Sequence, residues 1–409
     1  MVNSGDTAYV LISSALVLLM TPGLAFFYGG MVRRKNFLSV LMQCFILLCV
    51  LTLQWVIIGY SLAFAPDAGY GLIGGLDFIG LAGVGGEPNP IYAATIPHTA
   101  FMVFQAMFAV ITPALIVGAF AERIKFGSFL VFMLLWSTLI YDPVCHWVWG
   151  SGGWLKGLGA LDFAGGTVVH INAGIAALVM ALMIGRREGY QDRPFAPNNL
   201  PLTLLGTALL WFGWFGFNSG SALAANGAAA NAFVVTNIAA AAAGAMWALI
   251  EWRHNGAPTL LGAATGAVGG LVAITPACGF VGPLAAIVIG GVVSVIGYVA
   301  VAVVKPRLKY DDALDVFGIH GMGGIWGALA TGLFASAAVG GADGLFSGNP
   351  RQFGIQALSV LVTVVYSLAG TVLLYRVVDW AWGMRVDQQS ELMGLDISQH
   401  KEIGYTVLE

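Results

Sequence analysis

Long, nearly uncharged runs alternate with short polar breaks along almost the whole chain. The runs cover approximately 8–30, 37–65, 97–120, 126–146, 166–185, 201–217, 228–252, 258–275, 280–303, 313–338 and 353–383. An α-helix needs about 20 apolar residues to cross a bilayer. A segment in hydrocarbon must also satisfy its backbone internally, which a helix does. The pattern therefore predicts an all-α polytopic membrane protein with eleven transmembrane helices, of which the sixth and eighth are the shortest. The amino-terminal Met1-Val2-Asn3-Ser4-Gly5-Asp6 lacks a basic stretch, so the first run is expected to be a true span and not a cleaved leader.

The basic residues orient the chain. With the amino terminus outside, the inner breaks hold Arg33, Arg34, Lys35, Arg123, Lys125, Arg186, Arg187, Arg193, Arg253, Lys305, Arg307 and Lys309, and the polar tail holds Arg385 and Lys401. Outside fall Lys156 and Arg351, and Arg376 lies within the last run. Inner loops of membrane proteins are enriched in Lys and Arg, so this distribution sets the amino terminus outside and the carboxyl terminus inside. It also requires an odd number of spans.

Two runs share a motif. Asp162 to Gly174 and Asp312 to Gly324 both read Asp-x7-His-x3-Gly, placing His170 and His320 at matched positions 150 residues apart. They fall on the fifth and tenth spans. Spans 1–5 and 6–10 thus form two halves of five with opposite topologies, the inverted-repeat plan of many transporters. The two histidines are expected about two turns in from their aspartates, near the midplane, with span eleven peripheral. Residues 1–383 then form the transmembrane domain and 384–409 a polar inner tail.

Composition narrows the picture. The chain has 409 residues, 58% hydrophobic and 9% charged, with a mean hydropathy of +0.85. A soluble domain carries about 25% charged residues. No basic patch points to nucleic acid. The 56 glycines suggest closely packed helices. Cys44, Cys49, Cys145 and Cys278 have no metal-type spacing and read as small buried hydrophobes. No nucleophile–base set, nucleotide loop or metal cluster appears, so neither an enzyme nor a cofactor is expected.

The titratable and aromatic groups in the spans carry the candidate chemistry. An ionisable side chain in a span marks a functional pathway by default. A paired His can be structural, can hold a metal, or can hold and pass a proton, since its pKa lies near neutrality. No adjacent Cys or Glu completes a metal set. Phe101, Phe104 and Phe108 share a face of span three. His146 to Gly150, read as a loop, and Trp211 to Ser221 cluster aromatics at outer ends. Such residues anchor helices at an interface or bind a small cation through ring faces and a hydroxyl. Asp162 can cap span five or attract a cation. The spans hold almost no acids, which suits a small neutral species better than a hydrated ion. Glu122, Arg123 and Lys125 read as a structural helix-end cluster.

These stretches resemble a known family. Pro22 to Gly30, Ala119 to Arg123, Asp162 to Asn172, Gly213 to Ser221 and Asp315 to Gly321 look like the ammonium transporters (Amt/Mep/Rh), in particular the bacterial Amt branch. The resemblance implies a homotrimer in the cytoplasmic membrane with one pore per subunit. It implies that Trp149, Phe108 and Ser221 form an outer ammonium-recruiting site, that Phe108 and Phe217 gate the pore, and that His170 and His320 line the lumen. Asp162 would shape the site. On this reading ammonium loses its proton near the phenylalanines and ammonia passes the histidines, with the proton relayed separately. The tail, Gly394 to Glu402, is similar to the family's regulatory carboxyl terminus and implies a cytosolic P-II signalling partner. The family usually has Gly after the tail His, where this chain has Lys401. An ammonium sensor joined to a signalling module and a passive gas channel remain the competing readings, and Leu408-Glu409 admits a cloning remnant.

Overall fold

The structure is a computed structural model, and it describes residues 1–192 and 195–405. Arg193 and the end of the tail, with Leu408-Glu409, lie outside the described residues.

Each apolar run is a helix. They are α1 Ser4–Met31, α2 Arg34–Phe64, α3 His98–Phe120, α4 126–149, α5 Gly166–Ile184, α6 Leu200–Ser219, α7 Gly227–Asn255, α8 Leu260–Ile274, α9 Pro283–Leu308, α10 317–334 and α11 Pro350–Trp382. The starts are written in the sequence. Asn3, Asn199, Asn226 and Thr259 cap α1, α6, α7 and α8 by accepting a backbone N–H of the first turn. Proline occupies the first turn of α6, α9 and α11, where it has no hydrogen bond to lose.

Three sequence expectations shift. Helix α4 runs on through Trp149, so His146 to Trp149 belong to a helix and not to a loop. Helix α10 begins at Phe317 and ends at Phe334, because Asp312 to Asp315 form a capping turn and Ala335 is extended. Cys49 is exposed, unlike the other three cysteines.

The packing has the symmetry of the repeat. α1 lies against α6, and α5 against α10, as self-matched pairs. α2–α3 corresponds to α7–α8, α1–α3 to α6–α8, and α3–α5 to α8–α10. α11 packs on α5 and α10 from outside. Wide π-type turns also recur at equivalent places, in α4 and α9 and again in α5 and α10. Such turns concentrate at functional positions.

Connections alternate between two ends. At one end the start of α1, the 66–96 loop, the α4–α5 connection and the start of α11 touch through Asn3 N to Thr95 O, Ser151 N to the Tyr92 hydroxyl and Leu161 N to Gln356 Oε1. At the other, Glu122 bridges Arg33 (2.6 Å) and Arg187 (3.3 Å), and Arg187 pairs with Asp311 at 2.8 Å. Arg123 is fully buried and donates to the carbonyls of Ala119, Ala121, Gly185 and Asp311. The basic end is the one that the charge distribution assigns to the inside.

The tail crosses this inner end as a strap. Asp396 accepts from the backbone of Leu38 (3.1 Å) and Ser39 (2.8 Å) at the start of α2. Gln399 accepts from Phe126 N at the start of α4 (3.2 Å). Arg385 donates to the Ile184 and Arg186 carbonyls at the end of α5. Asn36 accepts from Leu395 N at 2.7 Å.

Candidate functional site

The Asp-x7-His-x3-Gly motif reads as three mechanical parts. The aspartate caps. Asp162 accepts from the N–H groups of Gly165 (2.8 Å), Gly166 (2.6 Å), Thr167 (2.8 Å) and Val168 (3.2 Å), so both its oxygens are engaged at the start of α5. Asp312 does the same for α10, accepting from Phe317 N at 2.8 Å. This geometry favours the capping reading of Asp162 over direct attraction of a cation.

The histidine then sits in the first turns of its helix, inside the π-type turn, with His170 N donating to Gly165 O at 3.0 Å. Because α5 starts at one end of the bundle and α10 at the other, the two short entries meet head to head. His170 and His320 are 1% and 3% exposed. Their Nδ1 atoms are 3.3 Å apart and the rings lie at 25°. Two neutral imidazoles at that distance share one proton, so one ring is an Nδ1–H donor and the other an acceptor. His170 Nε2 is buried without a protein partner.

The glycine admits the crossing helix. A β-carbon on Gly174 would lie 2.2 Å from Gly321 N, and one on Gly324 would lie 2.9 Å from Ile171 N and 3.0 Å from His170 Cβ. Each glycine thus packs beside the histidine of the other half.

Rings lead from the outer end to this pair. Trp149 meets Phe108 edge-on at 5.8 Å, and Phe108 lies 4.3 Å from Phe217. Phe217 is 6.1 Å from His170, and Trp214 stacks on His170 at 5.4 Å and 19°. Trp214 had read as part of an outer aromatic cluster. Instead it is buried, and Thr275 fixes it by accepting its Nε1–H at 2.9 Å. Phe104 packs behind Phe108. Phe101 faces the outer cavity and stacks on Tyr92.

Three cavities lie along the line. The outer one, about 300 Å³, is lined by all three residues expected at an outer site, Phe108, Trp149 and Ser221, and by Asp162. Trp149 donates to the Asp162 carbonyl (2.8 Å), and Ser221 donates to Phe217 O (2.8 Å), leaving its lone pairs available. Beyond Phe108 and Phe217 is a space of about 10 Å³ between Leu24, Ile111, Leu210, Trp214 and the histidines. That is room for about one water-sized molecule. An inner cavity of about 50 Å³ runs from His320 to Asp315, which pairs with Lys305 at 2.5 Å.

The sequence reading passed over Thr275 and the apolar lumen wall. It also passed over Asp142, an acid buried within α4 that accepts from Gln54 Nε2 at 2.8 Å. Its one signal is an aspartate in an otherwise apolar span. Among the described residues no group of His, Cys, Asp and Glu forms a metal site.

Comparison with known proteins agrees with this geometry. The chain is 51% identical over 403 residues to an ammonium transporter of Bacillus subtilis, covering 98% of each. It superposes on the crystal structure of Saccharomyces cerevisiae Mep2 with a TM-score of 0.90 and 36% identity, over 95% of this chain and 88% of that one. A structure described as a sensor Amt protein matches with a TM-score of 0.89 and 30% identity, over 97% and 98%. A model of the Ammonium Transporter Family matches residues 8–405, and the chain belongs to that family.

Proposed function

We propose that this protein transports ammonium inward across the cytoplasmic membrane, taking the ion at Trp149, Phe108 and Ser221 and passing it as ammonia beyond Phe108 and Phe217. The observation that carries this reading is the His170–His320 pair, 3.3 Å apart, buried at the end of a line of rings.

Ammonium and potassium have similar size and charge. Ring faces attract both, while the Ser221 oxygen accepts an N–H that potassium lacks. Moving a bare cation past the phenylalanines into an apolar space costs several kcal/mol or more. Releasing the proton at the ring pair removes that cost. Ammonia then moves in single file along the lumen, and the proton follows the shared imidazole bond and lumen water. Both emerge at the Asp315 side and recombine, so one charge crosses per ammonium. Asp162 shapes the mouth by fixing the start of α5.

Residues 1–383 form the transporting domain and 384–409 the regulatory tail. The family supports a homotrimer with one pore per subunit, set in lipid, and a P-II signalling protein docking at the tail. The strap's contacts with α2, α4 and α5 support a tail that senses the state of the bundle.

The test is the current across a solid-supported membrane on an ammonium pulse, with potassium as control. An ammonium-specific current in the wild type, abolished or made unselective when His170 and His320 are both replaced by apolar residues, is expected. An undiminished, selective current in the double variant sinks the relay. Ammonium binding without current or vesicle pH change moves the protein to the sensor class, and a pH change without current makes it an electroneutral ammonia channel.

A further inference from the structure

The outer cavity contains a cation that belongs to the protein. Lys156 lines it together with Phe108, Trp149 and Ser221. It is carried by the short helix Trp154–Leu158, just past the end of α4. Its Nζ donates to the Trp149 carbonyl at 2.9 Å and lies over the Tyr92 ring, 5.5 Å from the centroid.

Both partners are fixed. The Tyr92 hydroxyl donates to Phe64 O (2.5 Å) and accepts from Ser151 N (2.9 Å). Phe101 stacks on the ring at 4.9 Å and 11°. Trp149 is the last residue of α4, so its carbonyl belongs to the negative end of the helix. A carbonyl oxygen beside a ring face suits an alkylammonium and a free ammonium ion alike. The acid nearby, Asp162, has both oxygens occupied by backbone N–H groups, so it does not hold the lysine.

We infer that the Trp149 carbonyl and the Tyr92 ring form a peripheral subsite for small ammonium ions at the rim of the cavity, and that Lys156 is its resident occupant. Lys156 therefore sets how readily a substrate cation enters. The inference rests on the ammonium-transport reading. The lysine's charge opposes a second cation in the same cavity, and salt screens that opposition. Passage beyond the phenylalanines is untouched. A lysine that merely capped α4 would alter thermal stability and leave the KM alone.

The experiment measures ammonium-pulse currents of the full chain in liposomes for wild type, Lys156→Gln, Lys156→Arg and Lys156→Gln with Tyr92→Leu. Ionic strength is set at about 10 mM and about 300 mM, long and short screening lengths respectively. Lys156→Gln is expected to lower the KM about three- to tenfold at low ionic strength and less than about twofold at high, with kcat unchanged. Lys156→Arg keeps the wild-type KM, and removing the Tyr92 ring reverses the gain. A KM for Lys156→Gln equal to wild type at low ionic strength overturns the inference, as does an Arg variant that moves as far as the Gln variant. If the wild type carries no current, the transport reading fails separately. Ammonium binding read by tryptophan fluorescence then takes over, with a tighter Kd expected for Lys156→Gln and an unchanged Kd overturning the subsite.

Discussion

Gly174 and Gly321 touch backbone to backbone, so closely that a β-carbon on Gly174 would sit 2.3 Å from Gly321 Cα. That contact brings the two histidine-bearing helix entries together. Gly174→Ala forces α5 away from α10. Overpacking of this kind costs about 1–3 kcal/mol or more. Gly324→Ala meets its neighbours at 2.9–3.0 Å and is expected to cost less. Thermal unfolding in detergent should rank wild type above Gly324→Ala above Gly174→Ala, and equal midpoints for the three would contradict the crossing geometry.

The Phe108–Phe217 pair separates a cavity of about 300 Å³ from a lumen with room for about one water. Phe108→Ala joins the two. Selectivity should fall, with potassium-evoked current or shrinkage-driven water flux rising about tenfold or more as the desolvation barrier of several kcal/mol is lost. Stopped-flow light scattering reads the water arm. Unchanged water and potassium flux would remove these rings from the gate.

Asp312 lies 1% exposed at the inner end. Burial pushes its carboxyl up to about 6, with Asp315 adding to the rise and Lys305 and the Phe317 and Val316 N–H groups opposing it. Its folded pKa exceeds its unfolded one, so between about pH 4 and pH 6 the folded state binds more proton than the unfolded state. This group's contribution therefore falls as pH rises through that window, by on the order of 2–3 kcal/mol. Asp312→Asn should flatten the slope of the unfolding midpoint between those pH values. A slope identical to wild type would show that Asp312 titrates normally.

Lys401 holds φ +61°, a left-handed conformation that costs an L-residue about 1 kcal/mol and glycine almost nothing. Lys401→Gly should tighten the tail, and Asp396→Ala, which removes the α2 cap, should loosen it by about 1 kcal/mol. Hydrogen exchange at 384–405 should slow in the first and quicken in the second. Opposite signs would place the tail's anchoring elsewhere.

The long apolar runs and the basic bias made the helix count and the alternation legible, because hydrocarbon imposes both on composition. The paired motif exposed His170 and His320 because a repeat shows as spacing. The role of Asp162 stayed open, since a cap is defined by where the helix begins, and the π-type turn beginning at Gly166 leaves no trace in periodicity. Trp214 was misplaced because a tryptophan near a helix end looks the same whether it faces lipid or a histidine. The contacts of Asp396 were out of reach, since Ser39 lies 357 residues earlier.

Those tail contacts have a consequence for biosynthesis. The first turns of α2 and α4 are inserted early, yet their free N–H groups at Leu38, Ser39 and Phe126 meet their acceptors, Asp396 and Gln399, only after all eleven spans have been made. The strap is therefore a late latch on the bundle. A ribosome stalled or a chain cleaved before residue 396 leaves those two helix starts dependent on water, and the cell has a chemical difference by which finished and unfinished copies can be told apart.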